Sequence, residues 1–140
     1  MTIGFIGTGE ITRAVVTGLS TVEGEKPAIL VSPRNEAIAR DLADRFENVA
    51  VAGSNQDVID GAEMVCLALR PQDAVGILEG LKFGPAHHVV SFMATYGVEQ
   101  IEKLTAPAQK VTLVTPLPAV ACFKFTSANT PPVSVTAPLV

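Results

Sequence analysis

An apolar run that ends in glycines at the very start of the chain limits what can follow. Ile3-Gly4-Phe5-Ile6 leads at once into Gly7-Thr8-Gly9-Glu10-Ile11-Thr12. A short apolar run stopped by glycine reads as a strand buried on both faces. Ile11, Ala14, Val15, Gly18 and Leu19 then recur at helical spacing. A strand, a tight glycine turn and a helix form the opening of a βαβ unit. That context turns a short G-x-G-x-x pattern from a weak signal into a useful one. Gly7 would make the tight turn, and Gly9 would let the backbone approach a pyrophosphate closely. The third position of such fingerprints is Gly or Ala and governs helix–strand packing. Thr12 stands there, and a looser fit is expected.

The same alternation continues. Apolar runs at Ala28 to Val31, Val49 to Ala52, Met64 to Leu69, Val89 to Phe92 and Val111 to Val114 predict five more strands. Between them, Asn35 is placed to cap a helix whose apolar face is Ile38, Leu42 and Phe46. Ser54 or Asn55 would cap a short helix reaching Asp60. Ala74, Ile77, Leu78 and Leu81 mark another helix, and Val98 to Leu104 a last one. Strands alternating with helices predict an α/β fold: a Rossmann-type doubly wound parallel sheet with helices on both faces, in strand order 3-2-1-4-5-6.

Composition divides the chain. All 14 acidic residues lie at or before Glu102 and all 11 glycines at or before Gly97, while six of the ten prolines follow residue 106. The expected organisation is a dinucleotide-binding domain over residues 1–118 and an irregular, Pro-rich C-terminal tail or arm over 119–140. Ala121 to Thr126, with Phe123 and Phe125 on one side, and Val133-Ser134-Val135 read as short strands or as an extended arm. Exchange of that arm between protomers would give a homodimer.

Charge and composition exclude several function classes. A net charge of −4 offers no basic face for nucleic acid. No run approaches about 18 apolar residues, so no transmembrane helix is expected. The N-terminus has neither the basic nor the long apolar region of a signal peptide. Cys66 and Cys122 make no CxxC pair and no zinc spacing. His87 and His88 are adjacent and so point to opposite sides of a strand, with no third ligand evident. A reducing, cytoplasmic setting without a metal is expected.

Cofactor preference is sought about 20 residues beyond the glycines, where NAD sites carry an acidic residue for the ribose. Val31-Ser32-Pro33-Arg34-Asn35 has no carboxylate at the strand end. Ser32 can donate a hydrogen bond and Arg34 can pair a phosphate. NADP(H) is therefore expected in preference to NAD(H), unless Arg34 is only a solvated surface charge. Ala68-Leu69-Arg70-Pro71-Gln72 ends the fourth run, on the side where open α/β sheets bind ligands. Arg70 there meets either a cofactor phosphate or solvent. Ser91-Phe92-Met93-Ala94-Thr95 ends the fifth run, where a small residue such as Ala94 would admit a nicotinamide ring. No catalytic residue is assigned.

Gly4-Phe5-Ile6-Gly7-Thr8-Gly9-Glu10-Ile11, Asn55, Ala68-Leu69-Arg70-Pro71-Gln72, Val90-Ser91 and Val114-Thr115-Pro116-Leu117-Pro118 together resemble pyrroline-5-carboxylate reductase, over residues 1–121. Thr115 and Ala119 stand where that family has Arg and Asn. The resemblance implies an N-terminal NAD(P)-binding domain, and hydride transfer from NAD(P)H to the C=N bond of a cyclic imine in proline biosynthesis. It implies that Thr8, Gly9, Glu10 and Ile11 contact the pyrophosphate and nicotinamide ribose. Ser32 and Arg34 would hold the adenosine 2′-phosphate, Asn55 the adenosine side, and Ala68, Leu69, Arg70 and Pro71 the nicotinamide-side ribose. The resemblance stops short of the family's helical domain, which dimerises and completes the substrate site, so little turnover is expected from this chain alone. The alternatives are a non-catalytic NADP-binding module or shortened paralogue, and another dehydrogenase with the same N-terminal domain, such as a coenzyme F420–NADP oxidoreductase or a β-hydroxyacid dehydrogenase relative.

Overall fold

Six strands and five helices alternate strictly: β1 (Thr2–Ile6), α1 (Glu10–Ser20), β2 (Ala28–Val31), α2 (Glu36–Arg45), β3 (Val49–Val51), α3 (Asn55–Gly61), β4 (Met64–Leu67), α4 (Pro71–Leu78), β5 (His88–Ser91), α5 (Val98–Leu104) and β6 (Lys110–Leu113). The computed structural model describes residues 1–93, 95–108 and 110–114. The expected domain boundary at 118, Cys122, the Phe123–Phe125 alternation and the arm proposed for dimerisation lie outside the described residues.

Every strand pair is parallel and the order is β3-β2-β1-β4-β5-β6. The chain winds outward from β1 to β3, then crosses back to β4 beside β1. Right-handed crossovers in the two directions put helices on opposite faces. The core accordingly has two halves. Phe5, Val15, Val16, Val31, Leu42, Cys66 and Val90 pack on the face covered by α1 and α2. Ile6, Val58, Ile59, Leu67, Leu78, Val89 and Ile101 pack on the face covered by α3, α4 and α5. Burial pushes the Cys66 thiol pKa up, so this residue is a small core hydrophobe rather than a nucleophile.

Gly4 fixes the distance of α3 from the sheet. A Cβ at that position would lie 2.5 Å from Val58 Cγ1 and 2.9 Å from Ala62 Cβ. The absence of a side chain lets α3 lie directly on β1, the central strand.

Element ends differ from the sequence reading for local reasons. β4 stops at Leu67 instead of Leu69, because the Ala68 amide makes the last bond to β1, at Ile6 O, and β1 then turns away at Gly7. β3 likewise ends at Val51. β5 and β6 each begin one residue early, since His88 pairs in register with Met64 and with Lys110. Phe46 is not on the helix: it is the extended residue that ends α2, half-buried, with the Arg45 guanidinium 5.0 Å from its ring centre. Leu81 lies in the turn after α4. Asn35 precedes α2 but does not cap it with its side chain. Its φ of 62° is left-handed, whereas side-chain capping needs an extended N-cap. Ser54, which is extended, does cap α3 by accepting from the Asp57 amide at 3.2 Å.

Among the described residues, no helix is long and apolar enough to cross a membrane, and no group of three or more His, Cys, Asp or Glu could hold a metal. Both histidines are structural. His87 Nδ1 accepts from the Gly84 amide at 2.8 Å, so its Nε2 carries the proton toward Ile59 O at 2.9 Å. His88 Nε2 is 2.7 Å from Thr112 Oγ1, tying β5 to β6.

His88 has its pKa lowered, first by burial and then by the charge of Lys110. Its unfolded form therefore binds a proton more readily than its folded form. Its effect on stability is fully favourable above its ordinary value of 6.5 and is lost as pH falls below it. Thermal unfolding followed at pH 7.5, 6.5 and 5.5 should show a falling melting temperature. His88→Gln should flatten that fall.

Candidate functional site

Ligands of open α/β sheets bind beyond the carboxyl ends of the strands, where the winding direction reverses. In this sheet that point lies between β1 and β4. Gly7 leaves β1 with φ +93°, a conformation that side chains rarely adopt. A Cβ on it would sit 2.5 Å from the Ala68 carbonyl oxygen and 2.9 Å from its carbon. Glycine is required here twice over, by backbone conformation and by the neighbouring strand.

Gly9 is different. It is the extended N-cap residue of α1, with φ −112°, and nothing lies within 4 Å of where its Cβ would be. The fold itself does not need glycine there. What glycine leaves is open space against the start of α1, which has no side-chain cap. The first amides of a helix lack intrahelical acceptors, and the helix dipole favours an anion beside them. Glu10 would oppose an anion, but its exposed carboxylate is turned to Arg13, with Oε1 3.3 Å from Nη1. The open space and the uncapped amides fit a pyrophosphate. Ile11, next along, is 40% exposed for a large apolar side chain.

Three hydroxyls hold the glycine turn. Thr12 is fully buried, and its Oγ1 donates to the Gly7 carbonyl. The expected looseness at this position does not occur, because the hydroxyl bonds directly to the turn. Ser32, also fully buried, accepts the Gly7 amide proton at 3.1 Å. Thr8 Oγ1 donates to the Ser32 carbonyl at 2.8 Å and lies 3.0 Å from Ser32 Oγ. Either hydroxyl can donate between the two oxygens, and Ser32 Oγ is bonded within the protein.

The other predicted residues lie along the same sheet edge. Arg34 is exposed at the end of β2, and no carboxylate comes within ion-pair distance of it among the described residues. Asn55 is half-buried as the first residue of α3. Ala68 is half-buried and Leu69 buried. Arg70 is exposed but engaged, with Nη2 and Nε 2.9 and 3.0 Å from Asp73 Oδ2. Pro71 is the first residue of α4, where its missing amide is harmless. Its carbonyl accepts from the Tyr96 hydroxyl at 2.8 Å, which braces the turn after β4 against the turn after β5. Ser91 is buried and accepts from the Met93 amide at 3.2 Å. Ala94 lies outside the described residues.

Sequence reasoning missed the hydroxyl cluster, the Tyr96 brace and the Arg70–Asp73 pair. Only the last had a local signal, an acid three residues after an arginine at the start of a helix.

The contrast between Gly7 and Gly9 can be measured. Gly7→Ala should lower stability by roughly 2–4 kcal/mol, from strain and the clash at Ala68. Gly9→Ala should leave the melting temperature unchanged within a degree or two while obstructing the helix start. Chemical denaturation of both variants checks the first effect, and nucleotide titration of Gly9→Ala the second.

A model of the family described as NADP oxidoreductase, coenzyme F420-dependent, matches residues 2–95. The pyrroline-5-carboxylate reductase of Pasteurella multocida is 28% identical over 116 residues, covering 80% of this chain and 42% of that protein. The solved 1-pyrroline-5-carboxylate reductase of Streptococcus pyogenes superposes with a TM-score of 0.65 at 27% identity, over 81% of this chain and 40% of that one. Plasmodium falciparum pyrroline carboxylate reductase, solved with NADP bound, superposes with a TM-score of 0.66 at 15% identity, over 81% of this chain and 41% of that one, and shares the fold. The chain spans about 42% of the length of the curated relatives it matches.

Proposed function

Because the chain belongs to the family of NADP oxidoreductases described as coenzyme F420-dependent, we propose that it is the NADP(H)-binding part of a cytoplasmic reductase of the pyrroline-5-carboxylate reductase kind. The substrate class is a cyclic imine, and the reaction is addition of hydride to its C=N bond, as in proline biosynthesis. The observation that carries the cofactor part of this reading is the start of α1: an uncapped helix terminus with open space at Gly9, beside a turn that Gly7 packs against β4. The likeness to curated pyrroline-5-carboxylate reductases supports the imine.

The dinucleotide, when bound, supplies the hydride. The work of this chain is binding and orientation. The backbone at Thr8, Gly9, Glu10 and Ile11 holds the pyrophosphate. The exposed apolar side of Ile11 borders the nicotinamide, and Ala68, Leu69 and Pro71 border its ribose. Arg70, drawn to Asp73, stands at the rim. Asn55 lies to the adenosine side. Arg34, exposed at the end of β2 where an NAD site would carry an acid, meets the adenosine 2′-phosphate. No residue of this chain is given the role of proton donor to the imine nitrogen.

The family match itself favours a second reading, in which the hydride partner is coenzyme F420 instead of an imine. The cofactor half of the site is the same in both. Oxidation of NADPH by pyrroline-5-carboxylate and by oxidised coenzyme F420, assayed side by side, separates them.

Calorimetric titration tests the shared premise. NADPH should bind at least about tenfold more tightly than NADH, as one charge-assisted phosphate contact would give. Arg34→Ala should remove most of that preference and leave NADH binding nearly unchanged. Equal affinities in the unaltered chain would end the NADP(H) assignment, and no binding of either would end the cofactor reading altogether.

A further inference from the structure

The sheet ties β4 to its neighbours only as far as two backbone bonds. The Ala68 amide makes the last one to β1, and the Phe92 amide, 2.9 Å from Leu67 O, makes the last one between β5 and β4. Beyond them, the turn into α4 and the turn into α5 share no ladder. Among the described residues one hydrogen bond joins them again. The Tyr96 hydroxyl donates to the Pro71 carbonyl at 2.8 Å, across 25 positions of sequence. Tyr96 reaches out from a fixed base. Its ring packs, half-buried, against the core under α3, α4 and α5. The next residue, Gly97, is the N-cap of α5, and its amide donates to Gln100 Oε1 at 2.8 Å. The acceptor belongs to the first residue of α4. A carbonyl can accept two bonds, so Pro71 serves Tyr96 without releasing its helix.

A hydrogen bond at the surface adds little to global stability, because water can replace either partner. The packing of the ring does not need the hydroxyl either, since a phenyl ring fills the same space. What the hydroxyl adds is a fixed separation between two turns. Both turns stand on the side of β1 away from β2 and Arg34. In the dinucleotide reading that is the side of the nicotinamide half. The turn into α4 is pinned a second time at Arg70, whose Nη2 and Nε lie 2.9 and 3.0 Å from Asp73 Oδ2. A wall held in place before binding spares the ordering cost that a ligand would otherwise meet.

We propose that Tyr96 is a positioning residue, which holds the turn from β4 into α4 at the separation from α5 that the nicotinamide half of the dinucleotide needs. It acts through Pro71 and not on the reacting atoms. This rests on the dinucleotide reading above and deepens it: a tie between two turns sets the nicotinamide side of the site, and the adenosine side does not depend on it.

Tyr96→Phe removes the hydroxyl and keeps the ring. The test is a set of dissociation constants for NADPH, NADH and 2′,5′-ADP, which lacks the nicotinamide half, in the full 140-residue chain. Tyr96→Phe should weaken NADPH and NADH by one common factor, about fivefold, and leave 2′,5′-ADP unchanged. Its melting temperature should stay within a degree or two. Tyr96 is the one tyrosine of the chain. Biosynthetic 3-fluorotyrosine therefore puts a single fluorine label there without any substitution. Its resonance should shift with NADPH or NADH and stay in place with 2′,5′-ADP. Equal weakening of all three ligands by Tyr96→Phe would overturn the proposal, because it would mark a general structural role. Unchanged NADPH and NADH affinity would overturn it too, as would a fluorine resonance that saturating NADPH leaves unmoved. If Tyr96→Phe does not fold, the fluorine titration decides alone. Failure of the unaltered chain to bind any of the three ligands would bring down the cofactor reading itself, whereas normal binding with an indifferent Tyr96→Phe brings down only the brace.

Discussion

The contact between Gly7 and the Ala68 carbonyl is the constraint from which the rest of this molecule follows. β1 and β4 are neighbours in space but lie far apart in the chain, and they part company at this contact. Gly7 must bend away at once, without a side chain, for β4 to pass. The bend turns the backbone toward the start of α1, and the sheet changes its winding direction between the same two strands. The place where open α/β sheets take ligands is thus set by topology and one missing Cβ, before any side chain is considered.

Around the bend the chain separates two kinds of polar group. Buried hydroxyls of Thr8, Thr12 and Ser32 satisfy the turn from inside. The first α1 amides, which no side chain caps, and exposed Arg34, which no carboxylate pairs among the described residues, are the groups we propose for the ligand. A buried polar group without a partner costs about 1–3 kcal/mol, so the inner set is stable only when complete. The outer set gains nothing from the fold and is open to recognition. Arg70 shows how exposure alone is a poor guide: it stands at the same rim, yet Asp73 holds it.

Most of the fold was legible in the sequence, because the signals were redundant. Each strand was an apolar run stopped by Gly, Pro or a polar turn, and three of the five crossovers had a helical period. The order of the strands followed from handedness rules. The misjudged details lie where tertiary partners decide. β4 ends where β1 ceases to offer acceptors, not where its own apolar run ends at Leu69. Asn35 looked like a cap by residue type, but its left-handed backbone prevents that role. Phe46 kept the helical period and yet lies just past the helix, where its ring still meets the core. At the site, the tight turn at Gly7 was readable and the hydroxyl network around it was not. Ser32 and Thr8 are 24 residues apart, so nothing local announces that their hydroxyls meet. Thr12 was judged by size alone, and its hydroxyl reversed the expectation.

The central claim is that the bend at Gly7 and the start of α1 receive the pyrophosphate of a nicotinamide dinucleotide. The most direct measurement is a titration of the nitrogen-15-labelled chain with NADPH, read as amide shifts residue by residue. The account predicts the largest changes at Gly9, Glu10 and Ile11, with smaller ones at Arg34 and at Ala68 to Arg70, and none at the opposite edge of the sheet around Glu25 and Gly84. Shifts centred on that opposite edge, or no shifts at all at saturating NADPH, would contradict it.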